Sequence, residues 1–120
     1  MAVLLTGDEQ IRSLNNRFRG IDESTDVLSF PAGDFPQAPL GDIAISIPYA
    51  ERQARLRKVS LEQEVAFLGI HGALHLLGFE DETEPDREAM VREMNVVAES
   101  AALKPDHEWH SLLHGRSSAE

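Results

Sequence analysis

His71 and His75 stand four residues apart in GIHGALHLLGFEDE (residues 69–82), an apolar run that stops at Gly78 and continues into Glu80, Asp81 and Glu82. On a helix that spacing puts both imidazoles on one face, with Cβ atoms ~5–6 Å apart, which suits two neutral ring nitrogens each ~2.0–2.1 Å from one zinc ion. A glycine stop lets the chain turn and carry a third donor back past the helix end. Asp81, six residues after His75, is the best placed for this, with Glu80 as its competitor. Glu82 and Glu84 have a plainer reading, as acids near the positive start of the next helix. A lone histidine on an apolar face is more often a packed core residue than a ligand; a pair at this spacing, followed by a glycine and acids, favours a metal.

In zinc proteases of the H-E-x-x-H type, the residue after the first histidine is the general base, and here that position is Gly72. A thermolysin-like mechanism is therefore not expected. What remains is an ion that acidifies water and polarises a substrate oxygen, with any base supplied from elsewhere.

The elements that must position these groups follow from capping and periodicity. AVLL is a short strand, and Thr6 with Glu9 has the capping-box pattern for a helix over about residues 8–18, ended by Gly20. TDVLSF and the alternating DIAISI read as strands, separated by the Pro- and Gly-rich loop PAGDFPQAPLG. Pro48 opens a helix through about Arg57. Ser60 and Gln63 form a second capping box before a largely buried helix over 61–77, and Thr83 with Pro85 starts another that runs to about Ala102. The expected fold is a single α+β domain over residues 1–104: a small mixed sheet packed with four to five helices, the metal site at the end of the central buried one. Residues 105–120 read as a helical or flexible tail. His107, His110 and His114 within it suggest a partly exposed terminal helix rather than a second metal site.

The 120-residue chain has no cysteine, so disulfides and thiolate sites are excluded. It lacks a basic leader and any apolar run approaching the ~20 residues of a membrane helix, and the expectation is a soluble, cytoplasmic protein. The net charge of −10 argues against a basic nucleic-acid surface, but the acid is unevenly spread. Residues 1–58 hold 7 basic against 8 acidic side chains, and the rest 4 against 13. Arg52, Arg55, Arg57 and Lys58 make the strongest basic run. A solvated helix face is its default explanation, yet it is the first candidate for phosphate contacts in an otherwise acidic protein.

HGALHLLGFED closely resembles the H-G-x-L-H-L-x-G-Y-D-H signature of the bacterial endoribonuclease and rRNA maturation family called YbeY. LNNRFRG (14–20), STDVLSFP (24–31) and LGDIAIS (40–46) agree with that family in order and spacing. The resemblance implies a metal-dependent, single-strand-specific endoribonuclease. Its processes would be rRNA maturation, including the 3′ end of 16S rRNA, and ribosome quality control, with the small subunit and its proteins as partners. It implies that His71 and His75 are zinc ligands with a part in catalysis, and that Arg19 is the arginine tied to activity. The family's third ligand is a histidine, and Asp81 stands in its place. A carboxylate serves zinc at ~2.0–2.2 Å but adds negative charge, so a bound water is expected to be less acidified than with three imidazoles.

Arg19 taken alone reads as a helix C-terminal cation neutralising the dipole; the resemblance shifts it towards a phosphate fork. Ser29 and Phe30 are candidates to line an RNA groove beside the metal, Phe30 offering a face for base stacking, with a core role for Phe30 equally open. Asp26 reads as structural. Asp42 reads as a turn former or as a partner of a ligating histidine. Related proteins usually carry a further strand and helix before VLLTGDEQIRSLN, so the sheet is expected to have an exposed edge. Two rival functions share the ligand set: a two-histidine, one-carboxylate iron oxygenase, whose ligands usually come from barrel strands, and a non-catalytic ribosome-assembly factor with a structural zinc.

Overall fold

The computed structural model describes residues 2–31 and 41–110. In chain order the elements are β1 (Val3–Thr6), α1 (Asp8–Arg19), β2 (Val27–Pro31), β3 (Gly41–Ser46), α2 (Ile47–Arg57), α3 (Leu61–Leu76) and α4 (Glu84–Ser100). The strands form one mixed sheet in the order β1-β3-β2, with β1 parallel and β2 antiparallel to β3. The expected α+β architecture is therefore observed, with four helices among the described residues. Most of the PAGDFPQAPLG loop lies outside the described residues.

Alternation along the strands divides the interior in two. Val27, Ile43 and Ile45 face one side of the sheet, where they pack with Phe67, Leu68 and Leu74 of α3 and with Met90, Met94 and Ala98 of α4. Leu28 and Ala44 face the other, against Ile11 of α1, with Leu14 and Phe30 at its margin. The register pairs Val27 with Ile45 and Leu28 with Ala44, so a slip of one residue would exchange the two layers. β1 is an edge strand among the described residues, and Val3, Leu4 and Leu5 are about half exposed. Asp42 accepts a hydrogen bond from the Ala2 N–H at 3.0 Å, fixing the start of β1.

Three local expectations are corrected. The N-cap of α1 is Gly7, not Thr6, because Thr6 is still in β1 opposite Ser46 and its hydroxyl donates to Gln10 Oε1. Ser60 does cap α3, accepting from the Gln63 N–H at 3.1 Å, but the Gln63 side chain donates to the Lys104 carbonyl at 2.6 Å instead of returning to the cap. Residues 101–110 contain turns and no helix, so His107 and His110 do not lie on a terminal helix; His114 lies outside the described residues. The reason is tertiary. Asn95 brackets Asp106 through two hydrogen bonds, Arg57 holds its carboxylate at 2.7 Å, and Trp109 is buried in the core.

No helix among the described residues is long and apolar enough to cross a membrane.

Candidate metal centre

α3 is capped by Ser60 and is apolar on most sides, where the sheet and α4 pack against it. It approaches the sheet closely at Gly72. A Cβ there would lie 3.1 Å from Ile43 Cγ2 and 3.2 Å from Ser29 Oγ, while the Ser29 hydroxyl donates to the Gly72 carbonyl at 3.0 Å. The missing side chain thus has a packing cause, and a glutamate base at this position would be driven into β3. Gly72→Val should destabilise the protein by about 1–3 kcal/mol through overpacking, measurable as a lower urea midpoint with an unchanged m-value.

One turn beyond Gly72 the helix stops. The N–H of Gly78 donates to the His75 carbonyl at 3.0 Å and that of Phe79 to Leu74 at 3.0 Å, with Gly78 at φ +101°, where a side chain would be strained. The turn sends residues 79–82 back towards the helix end, and the Arg87 guanidinium of α4 fixes them by donating to the carbonyls of Asp81 and Glu82 at 3.3 and 3.1 Å.

Three side chains meet as a result. His71 Nε2 and His75 Nε2 are 3.0 Å apart, and Asp81 Oδ2 lies 3.4 Å from the first and 3.3 Å from the second. A tetrahedral zinc site with ligand distances of ~2.0–2.2 Å places its donor atoms roughly 3.3–3.6 Å from one another, so the observed triangle fits a single ion. With both rings protonated on Nδ1, all three groups present lone pairs to one point. Among the described residues this is the group of histidines and acids able to hold an ion. Glu80 is exposed, whereas Asp81 is largely covered and joins the imidazoles.

The other anticipated residues are more scattered. Arg19 is exposed in the last turn of α1 and forms no ion pair among the described residues. Phe30 does not share a side of the sheet with the metal centre: alternation sends Ser29 to α3 and Phe30 to the α1 layer, where it meets Phe18 edge-on at 5.2 Å. Phe18, 60% exposed and with the Arg17 guanidinium 5.6 Å from its ring centroid, is the more accessible aromatic. The basic run also divides. Arg52 pairs with Asp8 at 2.9 Å, holding that carboxyl below its usual range, and lies over the Tyr49 ring. Arg55 pairs loosely with Glu51, and Lys58 is exposed at the end of α2. Arg57 is engaged in the interior rather than presented to solvent. Its side chain is 9% exposed, with the guanidinium bound to Glu64 at 3.0 Å and Asp106 at 2.7 Å.

Two neighbours complete the surroundings of the site, and only the first lies in a stretch that the sequence singles out. Ser29 holds α3 to β2 beside His71, and the Trp109 ring lies 5.0 Å from that of His71. The one available sign of the second was that the chain has a single tryptophan, placed in an otherwise polar segment.

A mixed sheet carrying a buried helix whose last turn gathers two imidazoles and a returning carboxylate defines a small α+β protein with a three-donor cluster that could hold a metal ion. Comparison with known proteins gives the particular family. The model of the family described as "Endoribonuclease YbeY" matches residues 1–102, and the chain belongs to that family. It is 41% identical over 118 residues to the endoribonuclease YbeY of Caldanaerobacter subterraneus subsp. tengcongensis, covering 87% of this chain and 75% of that protein. It is 49% identical over 96 residues to the endoribonuclease YbeY of Thermus thermophilus, covering 77% and 69%. The solution structure of TM1509 from Thermotoga maritima is similar, with a TM-score of 0.55 and 32% identity over 83% of this chain and 69% of that one.

Proposed function

We infer that this protein is a metal-dependent endoribonuclease that cleaves single-stranded RNA, with zinc as its ion and ribosomal RNA as its substrate. The observation that carries this reading is the convergence of His71, His75 and Asp81 at the end of α3, in a chain whose relatives are named endoribonucleases. An ion held there would supply a polarised phosphoryl oxygen and a water of lowered pKa. The protein's own part is to present that position to a phosphodiester. Arg19, exposed and without an acidic partner among the described residues, forks onto a phosphate oxygen and offsets the charge that develops as the P–O bond breaks. Lys58 and Arg55, with Arg52 in part, supply backbone contacts that carry no sequence information. The resemblance to the family extends the reading to 3′-end maturation of 16S rRNA and ribosome quality control in the cytoplasm, with the small subunit as partner.

The test is cleavage of a single-stranded oligoribonucleotide and of its duplex by metal-analysed protein, before and after chelation and zinc restoration, with product ends mapped. Zinc-restored cutting of the single strand supports the assignment. Metal-loaded protein that binds RNA without cutting it would make the centre structural and the protein an assembly factor. Ligand identity is tested separately: Asp81→Ala should lower zinc affinity at least ~100-fold, since losing even an outer partner of a ligand costs about 10–100-fold, whereas Glu80→Ala should leave it unchanged. The reverse pattern in a competition titration would transfer the role to Glu80.

A further inference from the structure

Residues 103–110 lie beyond the part of the chain that matches the family model, yet they are tied down along their length. Leu103 packs on the main core, the Lys104 carbonyl accepts from Gln63, Asp106 is held by Arg57 and Asn95, and the Trp109 indole N–H donates to Glu64 Oε2 at 3.1 Å. Glu64 is itself completely buried and is bonded by Gln53 at 3.0 Å and by Arg57. The indole is thus bonded to a carboxylate that is itself held in place by two further donors.

The indole set in this way lies with its ring centroid 5.0 Å from that of His71, the planes inclined at 42°. His75 meets the same imidazole edge-on from the next turn, with centroids 4.5 Å apart. His71 is therefore confined by its helical neighbour and by a side chain from the far end of the described chain. A ligating imidazole has to keep its nitrogen on the ion, and rotation about χ2 sweeps that nitrogen away. A fixed aromatic wall against the ring opposes that rotation, much as a hydrogen-bonded partner does in many metal sites.

We propose that Trp109 is a positioning residue of the metal centre: the segment 103–110 is a strap that presses the indole against His71 and holds its imidazole in the ligating orientation. The role rests on reading His71, His75 and Asp81 as a metal site, and it adds to that site a contribution from outside the family-matched region.

Cobalt(II) serves as the probe because its absorption reports ligand geometry and its binding quenches a nearby indole. Titrating the full-length protein should quench the emission of the sole tryptophan and saturate at one equivalent. Trp109→Leu, folded by circular dichroism, should bind cobalt ~10–100-fold more weakly with an altered ligand-field spectrum. Trp109→Phe, which restores an aromatic wall without the indole N–H, should recover much of the affinity. A folded Trp109→Leu with wild-type affinity and spectrum would reduce the residue to ordinary core packing. If neither variant folds, the wild-type titration still decides, because saturable cobalt binding without quenching would overturn the contact. Failure of the metal-site reading is distinct: wild type would then bind no cobalt, or His75→Ala would bind it equally well.

Discussion

His75→Ala protein will fold normally and cut single-stranded RNA about 10³-fold more slowly than wild type. The fold survives because the His75 side chain is 26% exposed and sits in the last turn of α3, so truncation leaves little buried cavity. Activity does not survive, because the imidazole is one corner of a triangle whose other donors are 3.0 and 3.3 Å away, and two donors cannot hold an ion as three do. If the ion contributes roughly 4 kcal/mol of transition-state stabilisation, its loss corresponds to about 10³-fold in rate. Initial rates on a labelled oligoribonucleotide, with metal content measured on the same preparations, give the answer. Equal cleavage by the variant would identify a contaminating nuclease and remove the catalytic role.

Arg57→Ala will lower stability by about 3–5 kcal/mol, the range for breaking a buried ion pair and leaving a charge behind. Two carboxylates depend on this guanidinium, Glu64 with no exposure and Asp106 with 12%. Burial already pushes the Glu64 carboxyl above its usual value of 4.5, and Arg57 opposes that rise. A carboxyl raised on folding supports the native state most when protonated, and that support fades as pH climbs through the folded pKa. Removing Arg57 raises the folded value further. The deficit of Arg57→Ala relative to wild type should therefore be largest near neutrality and shrink as pH falls towards 4.5. Urea unfolding of both proteins across that window tests this, and a deficit independent of pH would show that Glu64 does not titrate within it. Because the same carboxylate anchors Trp109, the variant should also bind metal more weakly at neutral pH.

The parts legible in the sequence were those encoded locally. Thr83 caps α4, Ser60 caps α3, Gly78 turns the chain, and the i, i+4 histidines need only a helix to face one point. Where the reading failed, a distant contact overrode a local signal. Thr6 has a capping pattern, but its pairing with Ser46 keeps it in the sheet. Arg57 belongs by sequence to a basic run, but a partner 49 residues away removes it from the surface. Phe30, whose core role the sequence leaves open, is placed in the α1 layer by the two-residue period of the strand. Trp109 meets Glu64 across 45 residues, and no short motif encodes such a meeting.

The close seating of α3 at Gly72 bears on how readily the centre accepts its ion. With no side chain between them, the helix rests directly on Ile43 and Ser29, and the turn carrying both histidines takes its orientation from the backbone of the sheet. Much of the ordering of the two imidazoles is therefore completed when the chain folds, and an ion bound there would meet a partly assembled set of donors. Affinity at this centre should accordingly follow the integrity of a helix–sheet contact that touches no ligand atom, so that a substitution at Ile43 would be felt as a change in dissociation rate.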